Sequence, residues 1–420
     1  MSFAFNMNGC LFVLLLTSST TFAINNDKIN TVFSWKQISY DFKGVLYLND
    51  TEYERSNSSI YFVQELHDSE KFFLQYNNVP IGFEVYGDRV FVTVPKRRYG
   101  IPSTLNYVEL GGPSSPILKP YPSPRWSEIL VSTYRPRVDA CGRLWVVDTG
   151  LLEVPVGRKQ LKRPAVIVFD LKTNKQILRY NLKETDLVNE RTTGGLTSIT
   201  VDVDPKSCED AYAYINDLAT NGVIVFSMKE RDSWRINHSS FVHDSNALNF
   251  SVAGNVINWK DGIFSIALSE QHKNGTRTAY YHPLVSTQEF SINTQHLKNR
   301  SGDIDGKVMT LGNRGPLTQS GSHDYHYGSR TMLYANVAQD AILCWNVDTE
   351  MKPENVAIVA QDREKLVYIS DLKVSGDDVW VLVNQIPTFV YSKLNPSVEN
   401  YFIHRAKLQD LIKGTVCERK

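Results

Sequence analysis

The decapeptide CGRLWVVDTG spans Cys141–Gly150. Leu144, Trp145, Val146 and Val147 form an unbroken apolar run between a Cys-Gly-Arg lead and Asp148-Thr149-Gly150. A short run rich in β-branched and aromatic residues, closed by Asp and Gly, predicts a buried strand rather than a helix. The arrangement recurs. Val90-Phe91, Ala213-Tyr214, Ile263-Phe264, Leu333-Tyr334 and Val379-Trp380 each pair an aliphatic with an aromatic residue after a turn-like or charged lead. From Phe91 to Trp380 the five intervals average about 58 residues, which suits a unit of several short strands. Further apolar runs follow the pairs, among them Ala165–Leu171 and Gly222–Met228.

Such a unit cannot bury its faces alone and must stack against its neighbours. Six pairs therefore predict an all-β fold, a six-bladed β-propeller. A β-sandwich would not accommodate a chain of this length. The strand Val32–Phe42 is expected to complete the last blade and close the ring. Almost no sustained helical period exists; residues 405–412 offer at most a terminal turn or two.

Composition sets the outer bounds. Of 420 residues, 45 are Lys or Arg and 45 Asp or Glu, so the formal net charge is zero and no basic face for nucleic acid is indicated. Residues 1–23 read as a secretory signal: the apolar run Cys10–Leu16 is followed by small and hydroxylated residues up to Ala23, although no Lys or Arg precedes it. No other stretch approaches the roughly 20 apolar residues of a membrane span. The mature part, 24–420, is expected to be one propeller domain, secreted and extracellular. Loss of Cys10 with the signal leaves Cys141, Cys208, Cys344 and Cys417, an even number that suggests two disulfides with three connectivities open. None has zinc-site spacing. Glycosylation sequons stand at Asn49, Asn57, Asn237, Asn249, Asn274 and Asn299.

If each pair marks the innermost strand of a blade, the residues after it converge on one mouth of the central channel. Asp148, Thr149, Asn216, Asp217, Asn336, Asn384 and Lys96 are then candidates to face a ligand, with Tyr334 to stack on an aromatic one. The competing reading is that Asp and Asn at strand ends serve as turn residues that accept backbone N–H groups. The basic cluster Lys96-Arg97-Arg98 lies at the same mouth and offers an anion contact. The HDYH segment, His323 to His326, sits in what reads as a Gly/Ser-rich loop without a third metal ligand. No hydrolase elbow, zincin or Walker motif is present, and neither a cofactor nor a metal is called for.

The motif CGRLWVVDTG closely resembles a signature of the Yellow / major royal jelly protein family of insects. FVTVPKRRYGIPSTLNYV (91–108), KPYPSP (119–124), VFDLKT (168–173), CEDAYAYINDLATNGVIVFS (208–227), DGIFSIALS (261–269), ILCWN (342–346), VWVLVNQIPTF (379–389) and LIKGTVC (411–417) are similar to family segments in the same order. The Tyr-Ala-Tyr and Gly-Ile-Pro segments resemble Yellow proteins more than royal jelly proteins. The resemblance implies a secreted six-bladed propeller with disulfides Cys141–Cys208 and Cys344–Cys417. It also implies that a third disulfide found in many members is missing, since both of its cysteines are absent around 126–131 and 156–164.

Within the family some Yellow proteins accelerate dopachrome conversion in melanin synthesis, others affect pigmentation, salivary relatives bind biogenic amines, and royal jelly members are nutritive or signalling proteins. The resemblance thus implies a role in melanin or cuticle pigmentation, with a channel site for a catechol- or indole-derived small molecule. Dopachrome conversion (tautomerase/decarboxylase) is the candidate reaction. It requires a base, for which Asp148 and Asp217 are the candidates, and donors to ring oxygens, for which Asn216, Asn336 and Lys96 are. The rivals are amine binding without turnover, a calcium-dependent hydrolase using channel oxygens such as those of Glu84, and a structural cuticle or eggshell component.

Overall fold

The computed structural model describes residues 28–50, 53–56, 59–62, 66–153 and 157–419. The expected signal segment and Asn57 lie outside the described residues. Six four-stranded antiparallel sheets radiate around a central channel as a six-bladed β-propeller. Blade one is built on Gly82–Tyr86, Arg89–Thr93, Leu105–Glu109 and Lys119–Pro120, and blade two on Arg137–Val138, Arg143–Asp148, Ala165–Asp170 and Lys175–Asn181. Blades three, four and five follow in chain order from Leu196, Ile263 and Ser320. Blade six takes three strands from the C-terminal region, Ile369–Ser375, Asp378–Val383 and Tyr401–Lys407. Its outer strand, Asn30–Trp35, comes from the N-terminal region and runs antiparallel to Tyr401–Lys407. Of the early strand expected over Val32–Phe42, the part up to Trp35 closes this blade, while Tyr40–Phe42 pairs instead with Val45–Tyr47. The clasp is reinforced by buried Trp35, whose indole N–H donates to Pro116 O of blade one at 2.7 Å. The terminal helical turn is Leu408–Ile412.

The aliphatic-aromatic pairs mark the second strand of a blade, not the innermost, in five of six cases; only Ile263-Phe264 lies on an innermost strand. The reason is burial. Arg143–Asp148 is buried at every residue. Leu144 and Val146 pack on blade one beside Phe91 and Leu105, while Trp145 and Val147 pack on blade three beside Ala213, Ile215 and Phe226. Alternate side chains thus point into two different cores, so the whole strand reads as apolar. The innermost strands instead turn one face to the channel and carry charge there: Glu84, Arg137, Asp202, Asp324, Asp371 and Lys373. Arg137 of blade two reaches across the ring to Asp324 of blade five, with Nη1 and Nη2 donating at 2.8 and 3.2 Å. Lys373 pairs with Asp371 at 3.2 Å, and Asp371 also accepts the Phe83 N–H and the Ser322 hydroxyl. Glu84 accepts the Val138 N–H at 3.0 Å; burial pushes its carboxyl pKa up, against the pull of Arg137 and Lys373. This ionic layer bridges the channel from blade two to blade five.

Two disulfides brace the ring, Cys141–Cys208 between blades two and three and Cys344–Cys417 between blade five and the C-terminal segment. The first encloses a separation of 67 residues. Its removal as a Cys141→Ser/Cys208→Ser pair is expected to lower stability by about 2–5 kcal/mol, read by guanidinium unfolding. A loss below about 1 kcal/mol would show that blade packing alone fixes this joint. Of the sequons, Asn49, Asn237, Asn249, Asn274 and Asn299 are exposed. No helix among the described residues is long and apolar enough to cross a membrane.

Candidate functional site

Second strands run toward the mouth from which the innermost strands start, so the loops after them surround that opening. A cavity of about 300 Å³ occupies it. Its floor is Arg135 and Phe264, with the Arg135 guanidinium 4.4 Å from the Phe264 ring centroid. Arg135 is buried and fixed, its Nε donating to Ser370 O at 2.8 Å and its Nη1 to Thr197 O at 3.1 Å. One wall is aromatic: Trp259 and Tyr368 meet edge to face at 5.9 Å, and the Trp259 indole N–H donates to the Tyr391 hydroxyl. Burial pushes the Tyr368 phenol pKa up to about 12, so it stays protonated as a donor. Tyr134, also in the wall, donates to Glu153 Oε1 at 3.0 Å, and Arg97 lies 3.6 Å from the other Glu153 oxygen.

Asp261 is the unusual member. Its carboxylate has neither hydrogen bond nor ion pair within contact distance among the described residues. Burial pushes its pKa up to about 6, although Arg97, Arg191 and Arg135 pull it down from farther off. A half-buried acid poised near neutrality, in a cavity that also holds aromatic rings and fixed donors, is equipped to take and return a proton.

Of the residues expected at this mouth only Arg97 lines the cavity; Asp148, Thr149, Asn216, Asp217, Asn336, Asn384, Lys96 and Tyr334 do not. Asp148 is buried and accepts the backbone N–H groups of Val131, Ser132 and Gly150 at 2.8–3.2 Å. Thr149 donates to Ser132 O. Asp217 accepts the N–H groups of Ala219 and Thr220 and the Thr220 hydroxyl, and pairs with Arg235 at 2.9 Å. Asn216 donates to Thr197 Oγ1 and Ile263 O, Asn336 to Leu317 O, and Asn384 to Pro80 O. Asn216 and Asn384 thereby tie each second strand to the neighbouring blade.

Lys96 lines a separate groove beside the mouth, where burial pushes its amine pKa down, and Tyr334 is buried between blades four and five. Asp148→Ala is expected to orphan three backbone donors and lower stability by about 3 kcal/mol. Its activity per folded molecule should stay that of the parent. A selective loss of activity with unchanged stability would return Asp148 to the chemistry.

HDYH lies on the innermost strand Ser320–His326 rather than in a loop. His323 joins His282 and Glu289 in a fully buried group whose ligand atoms all lie within 4.8 Å. The Glu289 charge is already met by buried Arg314, Nη1 to Oε2 at 2.6 Å, and burial keeps both imidazoles neutral by lowering their pKa values, that of His323 to about 3. The Glu289–Arg314 ion pair belongs to blade four, His323 joins it from blade five, and none of these residues lines the mouth cavity.

Asp261 escapes sequence reasoning because its Trp-Lys-Asp-Gly lead has the form of one more turn before a repeat. The signal was present. Ile263-Phe264 is the only pair on an innermost strand, so its lead alone opens directly into the channel. Arg97 of the basic cluster, by contrast, does line the cavity.

Residues 131–417 match the family model described as Major royal jelly protein. The chain is 36% identical to "L-dopachrome tautomerase yellow-f" of Drosophila melanogaster, over 97% of this chain and 99% of that protein. It is 37% identical to "Protein yellow" of the same species over 82% of this chain, spanning 65% of that longer protein. Among solved structures, virginiamycin B lyase from Staphylococcus aureus aligns with a TM-score of 0.42 at 10% identity, over 79% of this chain and 95% of that one. With blade count, motif order, the family-model match and the two Drosophila relatives in agreement, the chain belongs to the Yellow / major royal jelly protein family.

Proposed function

We propose that this is a secreted enzyme of melanin or cuticle pigmentation that accelerates conversion of L-dopachrome, and that the channel-mouth cavity is where it does so. The observation that carries this reading is the unpaired Asp261 carboxylate facing a cavity with aromatic walls and fixed cationic donors. Dopachrome is an oxidised, non-aromatic indoline that becomes an aromatic dihydroxyindole when two C–H protons leave, one from each saturated carbon of the five-membered ring, and each quinone oxygen gains one. Asp261, ionised near neutral pH, accepts the first of these C–H protons. Tyr368 and Arg135 stabilise charge developing on the ring oxygens, and the Trp259 and Phe264 rings hold the flat substrate.

The name of the yellow-f relative supports the substrate, and its alignment over nearly the whole of both chains supports carrying the reaction across. Two disulfides support secretion. The test is the loss of dopachrome absorbance with purified protein against the spontaneous loss in buffer. A protein-dependent acceleration proportional to protein concentration is expected. No acceleration at micromolar protein would remove the enzymatic reading and leave a binding protein.

A further inference from the structure

The charge in the cavity is unbalanced. Arg97, Arg135, Arg158 and Arg191 line it, against only Glu153 and Asp261. Arg97 lies beside Glu153, and Arg135 donates from Nε and Nη1 to backbone carbonyls. Arg158 and Arg191 are exposed at the rim, and neither guanidinium has a hydrogen-bond or carboxylate partner among the described residues. Their positions are linked. Arg191 begins the short turn that contains Gly194, and the Arg158 guanidinium lies directly on Gly194: a Cβ there would sit 2.7 Å from Nη2 and 3.2 Å from Cζ. The missing side chain at Gly194 is what lets the second guanidinium lie against the turn that carries the first. Arg191 is also near enough to Asp261 to pull on its charge.

We infer that Arg158 and Arg191 form a carboxylate clamp that makes this mouth selective for an aromatic ring bearing a carboxylate, and that a neutral or amine-bearing ring binds there less tightly. Guanidinium groups suit a carboxylate because their paired N–H donors match its two oxygens. The excess positive charge repels a protonated amine. The inference deepens the proposed function: a clamp at the rim on the Arg191 side sets the ring carbon beside the carboxylate toward Asp261. The clamp acts on affinity rather than on the chemical step, so Arg158 and Arg191 are specificity-determining residues, whereas Asp261 carries the proton.

Unreactive probes separate the two ideas. Calorimetric titration of the full chain with indole-2-carboxylate and with indole-2-carboxamide should give about tenfold tighter binding of the carboxylate, weakening as salt rises. An Arg158→Met/Arg191→Met variant should bring the two probes to near parity, with an unchanged melting temperature as the check on folding. Gly194→Ala, whose backbone tolerates a side chain, should give an intermediate preference because its methyl displaces the Arg158 guanidinium. Equal binding of the two probes by the parent, no binding of either, or a preference that survives in the double variant would overturn the clamp. A carboxylate preference without dopachrome turnover would sustain the clamp and end the enzymatic reading. Turnover without the preference would do the reverse.

Discussion

Asp261→Asn is expected to cut the protein-dependent rate of L-dopachrome conversion by about a hundredfold or more, the scale of losing a positioned general base. The amide keeps the shape of the side chain and removes only its ability to accept a proton. Stability should move the other way. The Asp261 carboxyl titrates in the folded chain at about 6, above the roughly 3.9 of an unfolded aspartate. The folded state therefore binds the proton more tightly, and ionisation weakens the fold progressively as pH rises from about 4 through 6. Asparagine lacks that penalty, so the variant should melt at the parent temperature or slightly above it at pH 7. A variant both inactive and strongly destabilised would instead mark Asp261 as a structural residue.

Arg314→Met should produce the largest loss of stability of any substitution considered, about 3–5 kcal/mol, because it leaves Glu289 buried without its cation. Both side chains are fully buried, and Arg314 also donates to Gln288 O and Ser286 O. Burial already lifts the Glu289 carboxyl to about 7 with Arg314 in place. Without it the native carboxyl titrates higher still, so the folded state is penalised wherever the unfolded glutamate is ionised and the native one resists ionisation. Unfolding free energies should therefore show a larger deficit at pH 8 than at pH 5. A second change, Glu289→Gln, should recover part of the deficit at pH 8. A pH-independent deficit that Glu289→Gln does not relieve would mean that lost packing, not an uncompensated charge, is the cause.

The sequence made the fold legible where burial is two-sided. Leu144-Trp145-Val146-Val147 announces a strand because each side chain meets one of two cores, and the same condition repeats around the ring. What was misplaced was the axis. The innermost strands carry Glu84, Arg137, Asp324 and Lys373; Arg137 meets Asp324 across the channel, and Lys373 pulls on the charges of Glu84 and Asp324, residues far apart in sequence. Such matches leave no periodic trace, so the apolar second strands appeared to be central.

The candidate site shifted by one layer for the same reason. Asp148 and Asp217 do end strands at the correct mouth, but their oxygens fold back onto nearby N–H groups, the ordinary use of an aspartate before a turn. Asp261 has no such donors and sits in a short lead with no apolar run of its own. Its isolation is visible only once blades one, two, three, four and six are assembled around it.

In the proposed function the channel mouth is the working site and Asp261 carries its proton. The most direct test is kcat/KM for L-dopachrome as a function of pH, measured on the parent and on Asp261→Asn. The parent should show an ascending limb centred near pH 6, the value to which burial lifts this carboxyl, and the variant should lose the limb together with most of the rate. An ascending limb retained in Asp261→Asn at a comparable rate would contradict the claim.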